Sequence, residues 1–466
     1  MPNFRVFDDV TILDPANIAP AGWTVGNFAA AVDAARTNAR PLQIRPGTYD
    51  AANVDILPTN GGGRPLRIFG NQGTVTIRFT GGNYCIQVRD VDNVSFSGIG
   101  FSGQNLAIPA YTAPGATTTT AAGLVIFNNA KNLIVENCTF VDTLKATGEP
   151  TNSYKAQLIV CRASTGNIEN NTFANGDLAI WNFQSVVRKI NNKIQGFQSN
   201  GLLIFDVANG GNLSMIENNI INGISAPFGD GQTGNCIAVF RANNVTASKN
   251  TLLNCRTGVR FNASSRALVT SNIIYNAREV GIFAEAPGAG QDLFGAIITD
   301  NSIDFSGSGI NVGNSGFFGD GVARLSIIKG NLITNLVRNT FPPLPGVPGA
   351  TTPAMAISVE QDSVVEGNMI ENCTLGIKLG VAQAARDLNC DGNVIRNCPA
   401  AVVFSSNAAA SNIVISNNII RNAPTGAIIS TPALDAAPVT ASFNANIATQ
   451  TAGTGGTVLI EGNRAA

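Results

Sequence analysis

The 466-residue chain contains no histidine. That excludes a histidine general base, a Ser-His-Asp triad and histidine metal ligands. Charge is also scarce: Asp, Glu, Lys and Arg make up 13% of residues, and 29 basic against 30 acidic groups leave a net charge of −1. The basic residues form no cluster, so no nucleic-acid or anionic-membrane surface is expected. No apolar run is long enough to cross a bilayer, which argues against membrane insertion. The eight cysteines include no CxxC pair and no paired spacing. Buried free thiols are therefore expected rather than a disulfide framework, and no metal or cofactor is expected. The first residues, MPNFRVF, carry neither a signal peptide nor twin arginines. Either the chain stays inside the cell or a leader has been removed; a secreted or periplasmic protein is the expectation.

What the chain has is apolar residues (44%), 49 glycines and an internal repeat. The stretches 250–262 (NTLLNCRTGVRFN) and 272–285 (NIIYNAREVGIFAE) each read Asn, a short apolar strand, a second Asn four residues on, a turn and another strand. The first Asn recurs at Asn171, Asn192, Asn219, Asn250, Asn272, Asn301, Asn331, Asn368, Asn393 and Asn418, and Cys138 holds that place one coil earlier. The second recurs at Asn254, Asn276, Asn335, Asn372, Asn397 and Asn422. A polar residue that returns at one point of an apolar repeat predicts stacked coils, each amide bonded to the amides above and below. The cysteines fit the same frame, because Cys255, Cys373 and Cys398 directly follow the second Asn.

Residues 1–50 differ. Asn27 to Asn38 shows apolar residues at helical spacing, and PLQIRPGTY (41–49) reads as a strand closing on a Pro-Gly turn. A helix there would cap the open end of a solenoid. The expected organisation is a cap over 1–50, about a dozen coils over 51–430, and irregular coils with a tail over 431–466. Insertions at 105–121, 143–156, 224–234 and 340–354 fall just before the strand that follows the turn, where they would wall one face.

Helix, PLQIRPGTY and Asn-rich coils together resemble the pectate-lyase-like superfamily of right-handed parallel β-helices, and the resemblance runs from residue 25 onward. It implies an all-β solenoid with Asn ladders and an N-terminal capping helix. The stretches GQTGNCIAVFRA (231–242), REVGIFAEA (278–286) and KGNLITNLVRN (329–339) further resemble the twin-arginine-translocated repeat proteins of unknown function, which implies export but no catalytic residues.

Alternation along the strand after the turn suggests where function lies. If Leu124, Leu158, Leu178, Leu202, Ile237, Val259, Ile282, Ile310, Ile357, Ile377 and Val402 point inward, the positions three residues on point outward. They read Phe127, Cys161, Trp181, Phe205, Phe240, Asn262, Glu285, Gly313, Glu360, Gly380 and Ser405. Phe127, Trp181, Phe205 and Phe240 would form an aromatic stripe, either a platform for sugar rings or a second small core under the loops. Glu285 and Glu360 stand two coils apart, about 9–10 Å. That approaches the roughly 6.5–9.5 Å separation of acid and base in an inverting glycoside hydrolase. Arg260 would join them in the catalytic group, or simply pair with Glu285. Arg241, Asn262, Asn311, Lys378 and Gln361 would bind hydroxyls or an acidic sugar. Asp206, Glu279 and Asp230 are reserve acids.

Two spaced acids are too few for calcium, whereas a metal-free lyase with Lys378 or Arg260 as base stays open. The expected function is binding a polysaccharide and cleaving it by hydrolysis or elimination. The alternatives are a non-catalytic adhesion β-helix and a trimeric tailspike-like protein, so monomer and homotrimer both stay open.

Overall fold

The computed structural model describes residues 2–16, 22–59, 64–108, 123–145, 157–206, 213–225, 233–286, 293–313, 323–338, 352–380, 385–405, 410–431, 441–443 and 458–465. Within them the chain is a right-handed parallel β-helix with one α-helix. It divides into two compact units, the first ending at Gly234 and the second running from Asn235 to Ala466, with 209–211 counted with the second. Most of the four insertions singled out above (109–122, 146–156, 226–232 and 339–351) lie outside the described residues.

In the first unit the helix Phe28–Thr37 is capped by Asn27, whose side chain accepts from Ala30 N at 3.0 Å. It buries Phe28, Ala31, Val32 and Ala35, the face expected from their spacing. The expected strand at 41–49 is two strands, Leu42–Ile44 and Gly47–Ala51, broken at the Pro-Gly turn. Sequence reasoning missed the antiparallel pair Asn3–Val6 and Thr11–Asp14, whose second strand continues in parallel onto Leu42–Ile44.

The coil at 165–183 shows how the repeat turns. Strand Thr165–Glu169 ends at Asn170, in the left-handed region (φ 58°), and strand Thr172–Phe183 then bends at Asn175 (φ 56°). Asparagine tolerates this conformation because its short amide bonds locally. The second Asn column does the same in the second unit: Asn254, Asn276, Asn335, Asn372, Asn397 and Asn422 all have φ between 51° and 56°.

The first Asn column forms the internal ladder. In the first unit Asn171 donates to Asn192 (3.1 Å) and Asn192 to Asn219 (3.0 Å), with Cys138 N donating to Asn171 Oδ1 (2.8 Å). In the second unit the chain of amides runs Asn250, Asn272, Asn301, Asn331, Asn368, Asn393 and Asn418, each step 2.9–3.0 Å. It extends one coil beyond the expected column, to Asn463 at 2.9 Å. Every ladder amide is 0–1% exposed, apart from Asn463 at 3%.

Asn331 shows what the ladder is worth. Its Nδ2 reaches Ile298 O, Lys329 O and Asn368 Oδ1, and its Oδ1 accepts from Asn301. Asn331→Ala strands buried groups on both neighbouring coils, each at a cost of about 1–3 kcal/mol. A lowered guanidinium midpoint is expected, larger than for the exposed Asn372→Ala.

Candidate functional site

The predicted outward face must be read separately in each unit. In the first, backbone pairing places Ile86, Val125, Ile159, Ile180 and Leu202 in one column. Leu124 and Leu158 are therefore one residue out of that register, and a one-residue slip exchanges the faces. Phe127 consequently points into the helix. It is fully buried and meets Phe96 edge-on at 5.9 Å, and it shares its column with Val88, Cys161 and Asn182. It is a core residue, and the expectation that it binds ligand from the outer face is corrected.

The outward column is instead Gln87, Ile126, Val160, Trp181 and Leu203. Ile126, Val160 and Leu203 are nonetheless 3%, 0% and 1% exposed, and Trp181 packs beside Tyr84, Ile126 and Val160. Ile126, Val160 and Leu203 are thus buried on this face, while Trp181 stays half-buried at its edge. Two positions along the strand, a smaller aromatic group remains half-buried. Phe183 stacks on Phe205 at 5.8 Å with a 10° interplanar angle, Trp181 leans on Phe183 at 5.6 Å, and the Arg162 guanidinium lies over Phe183 at 5.4 Å. Phe183 and Arg162 were missed because the slipped register hid the pairing of Arg162 with Phe183 and of Phe183 with Phe205. Asp206 is 8% exposed.

In the second unit the register holds. Ile237, Val259, Ile282, Ile310, Ile357 and Ile377 form one inward column. Outward beside it stand Ala238, Arg260, Phe283, Asn311, Ser358 and Lys378, and then Phe240, Asn262, Glu285 and Gly313. Phe240 is only 7% exposed, so it lines the cluster rather than presenting an open platform. Arg241 occupies a left-handed corner (φ 53°) instead of the strand face.

Glu285 is the centre of this cluster. Arg260 Nε donates to its Oε1 at 2.7 Å, and Arg260 Nη2 and Asn262 Nδ2 reach the same oxygen. The Arg260 guanidinium lies 5.9 Å from the Phe240 ring and 5.6 Å from the Phe283 ring. The pair is deeply buried, with side chains 11% and 1% exposed. Sequence reasoning allowed a surface salt bridge here; the structure makes it a buried one, where removing a single partner is costly. The reserve acid Glu279 pairs with Arg256, and Asp230 lies outside the described residues.

Glu360 is 5% exposed and reaches the cluster over Gly313. That glycine has φ 151°, and a Cβ built on it would fall 2.6 Å from Glu360 Oε1 and closer still to Cγ and Cδ. The carboxylate thus lies in the space a side chain at 313 would fill, directly next to the Glu285 coil. Glycine is required here for both its φ and its missing Cβ. Gly313→Ala is expected to displace Glu360, and any reaction that depends on that carboxylate should slow on the order of 10²-fold. Rate measurements alongside circular dichroism check this.

The family model described as "Right handed beta helix region" matches residues 157–337. No curated protein matches the chain in sequence. Among solved structures the chain is similar to the Dettilon tailspike protein (14% identity, TM-score 0.43, covering 91% of this chain and 68% of that one). It is also similar to the A-module of a mannuronan C-5 epimerase from Azotobacter vinelandii (16%, 0.39, 88% and 97%). A third is the catalytic unit of an α-1,3-glucanase from Streptomyces thermodiastaticus (12%, 0.40, 87% and 62%). The stacked coils, the buried Asn ladders and the match over 157–337 make this chain a right-handed parallel β-helix.

Proposed function

We propose that the protein acts on a polysaccharide outside the cytoplasm and cleaves it by hydrolysis at Glu285 and Glu360. The reading rests chiefly on one observation: two carboxylates share an outward column with only Gly313 between them, and Glu360 lies in that glycine's empty side-chain space. Glu360 serves as the acid that protonates the glycosidic oxygen. Glu285 accepts the proton of the water that attacks the anomeric carbon, giving inversion. Arg260 and Asn262 hold the Glu285 carboxylate in place through their hydrogen bonds to its Oε1. Arg260 positions Glu285 and is not itself a base, which disfavours elimination through it. Asn311 and Lys378, half-buried in the neighbouring outward column, contact the sugar. In the first unit Trp181, Phe183 and Phe205 offer flat rings to sugar C–H faces.

A second reading, a non-catalytic carbohydrate-binding β-helix, is favoured by the burial of Glu285 and its triple engagement. Incubation with neutral and acidic polysaccharides separates the two. New reducing ends support hydrolysis. Binding without new ends supports the second reading, and ultraviolet absorbance from a new double bond would replace hydrolysis with elimination. Neither cleavage nor binding across the panel would overturn both.

A further inference from the structure

In the second unit, strands Met369–Glu371 and Val394–Arg396 pair in parallel with Glu371 opposite Arg396. Each chain then turns through a left-handed asparagine, Asn372 (φ 56°) or Asn397 (φ 51°), and Asn397 Nδ2 donates to Asn372 Oδ1 at 3.2 Å. The next residue is a cysteine in both coils. Cys373 and Cys398 thus occupy the same corner of adjacent coils, with backbones about 4.8 Å apart. That lies within the roughly 4.4–6.8 Å Cα separation of natural disulfides. Their orientation matches too: Cys373 Sγ lies 3.4 Å from Glu371 O and Cys398 Sγ 3.3 Å from Arg396 O. The two thiols also contact each other. Cys255, at the same corner of its own coil, has Ala277 beside it on the next.

We propose that Cys373 and Cys398 form a covalent modification site, closed to a disulfide by exchange with a small-molecule disulfide such as oxidised glutathione. Exchange can start from either thiol of the pair, and with Cys398 as the first nucleophile it runs in two steps. The Cys398 thiolate attacks the glutathione disulfide, releasing one glutathione thiolate and leaving a mixed disulfide. The Cys373 thiolate then displaces the second glutathione. Two protein thiols are oxidised and one glutathione disulfide is reduced to two thiols, so electrons and atoms balance. Both thiols are buried, 3% and 0% exposed, so exchange takes place while the coils are still assembling.

The full chain refolded from denaturant with oxidised glutathione, alkylated and digested without reduction tests this by mass spectrometry. The expected product is the Cys373 peptide joined to the Cys398 peptide, two hydrogens lighter than the separate thiols. The oxidised protein should also unfold at a higher guanidinium concentration than the same sample after reduction. In Cys398→Ser the joined peptide and the shift both vanish. Soluble, refolded wild-type protein with both residues alkylated, each carrying glutathione, or either bonded to another cysteine would overturn the proposal.

Discussion

Glu285→Gln is expected to lower polysaccharide cleavage by about 10²–10⁴-fold, the range for losing a positioned acid–base group. The same change leaves the buried Arg260 guanidinium without its counter-charge, so stability should fall as well, by up to about 3–5 kcal/mol. A simple loss of activity would therefore be ambiguous. The double variant Arg260→Met/Glu285→Gln resolves it, since replacing both members of a buried pair is far less costly than removing one. Stability should largely return while cleavage stays lost. Recovery of cleavage with stability would show that Glu285 is only a structural partner of Arg260. Denaturant midpoints and initial rates on one protein preparation give both readouts.

The second large effect concerns a residue outside the proposed site. Lys189 is fully buried in the interior of the first unit, its Nζ donating to Val187 O at 2.9 Å. Burial lowers its pKa from an ordinary 10.5 to about 7, with nearby Cys161 acting in the opposite direction. Below about pH 7 the lysine is charged in both folded and unfolded chains, and the full cost of burying that charge is present. Between about 7 and 10.5 the unfolded chain binds more protons than the folded one, so stability rises with pH across this window. Lys189→Met should remove the cost, raising stability near pH 6 by on the order of 4 kcal/mol, and it should flatten the alkaline rise. Denaturant titrations at pH 6, 8 and 10 test this. An unchanged slope in the variant would assign the pH dependence to other groups.

The ladder was readable in the sequence because one polar residue stands among apolar ones at every turn of the repeat, and nothing but a stacked amide accounts for it cheaply. The face of the following strand was readable only where its two sides differ in chemistry. In TGVRFN (257–262) and VGIFAE (280–285), Arg260, Asn262 and Glu285 mark the outward parity. In GLVIF (123–127) and QLIVC (157–161) both faces are apolar, because the outer one is buried too. Parity then carries no signal, which is how Phe127 came to be expected outside. Lys189 was hidden differently. Its parity in VVRKI (186–190) places it on the same side as Val187, but a lysine in an exposed-looking strand gives no sign that it is inside. The placement of Glu360 over Gly313 depends on a left-handed glycine, a backbone fact that side-chain alternation does not encode.

The most direct test of the proposed site is a crystal structure of Glu360→Gln soaked with an oligosaccharide that the wild-type protein binds. The expected result is a sugar ring over Gly313, with the glycosidic oxygen at residue 360 and the anomeric carbon facing Glu285 across one water. Sugar bound elsewhere on the surface, with the Arg260–Glu285 pair untouched, would contradict it.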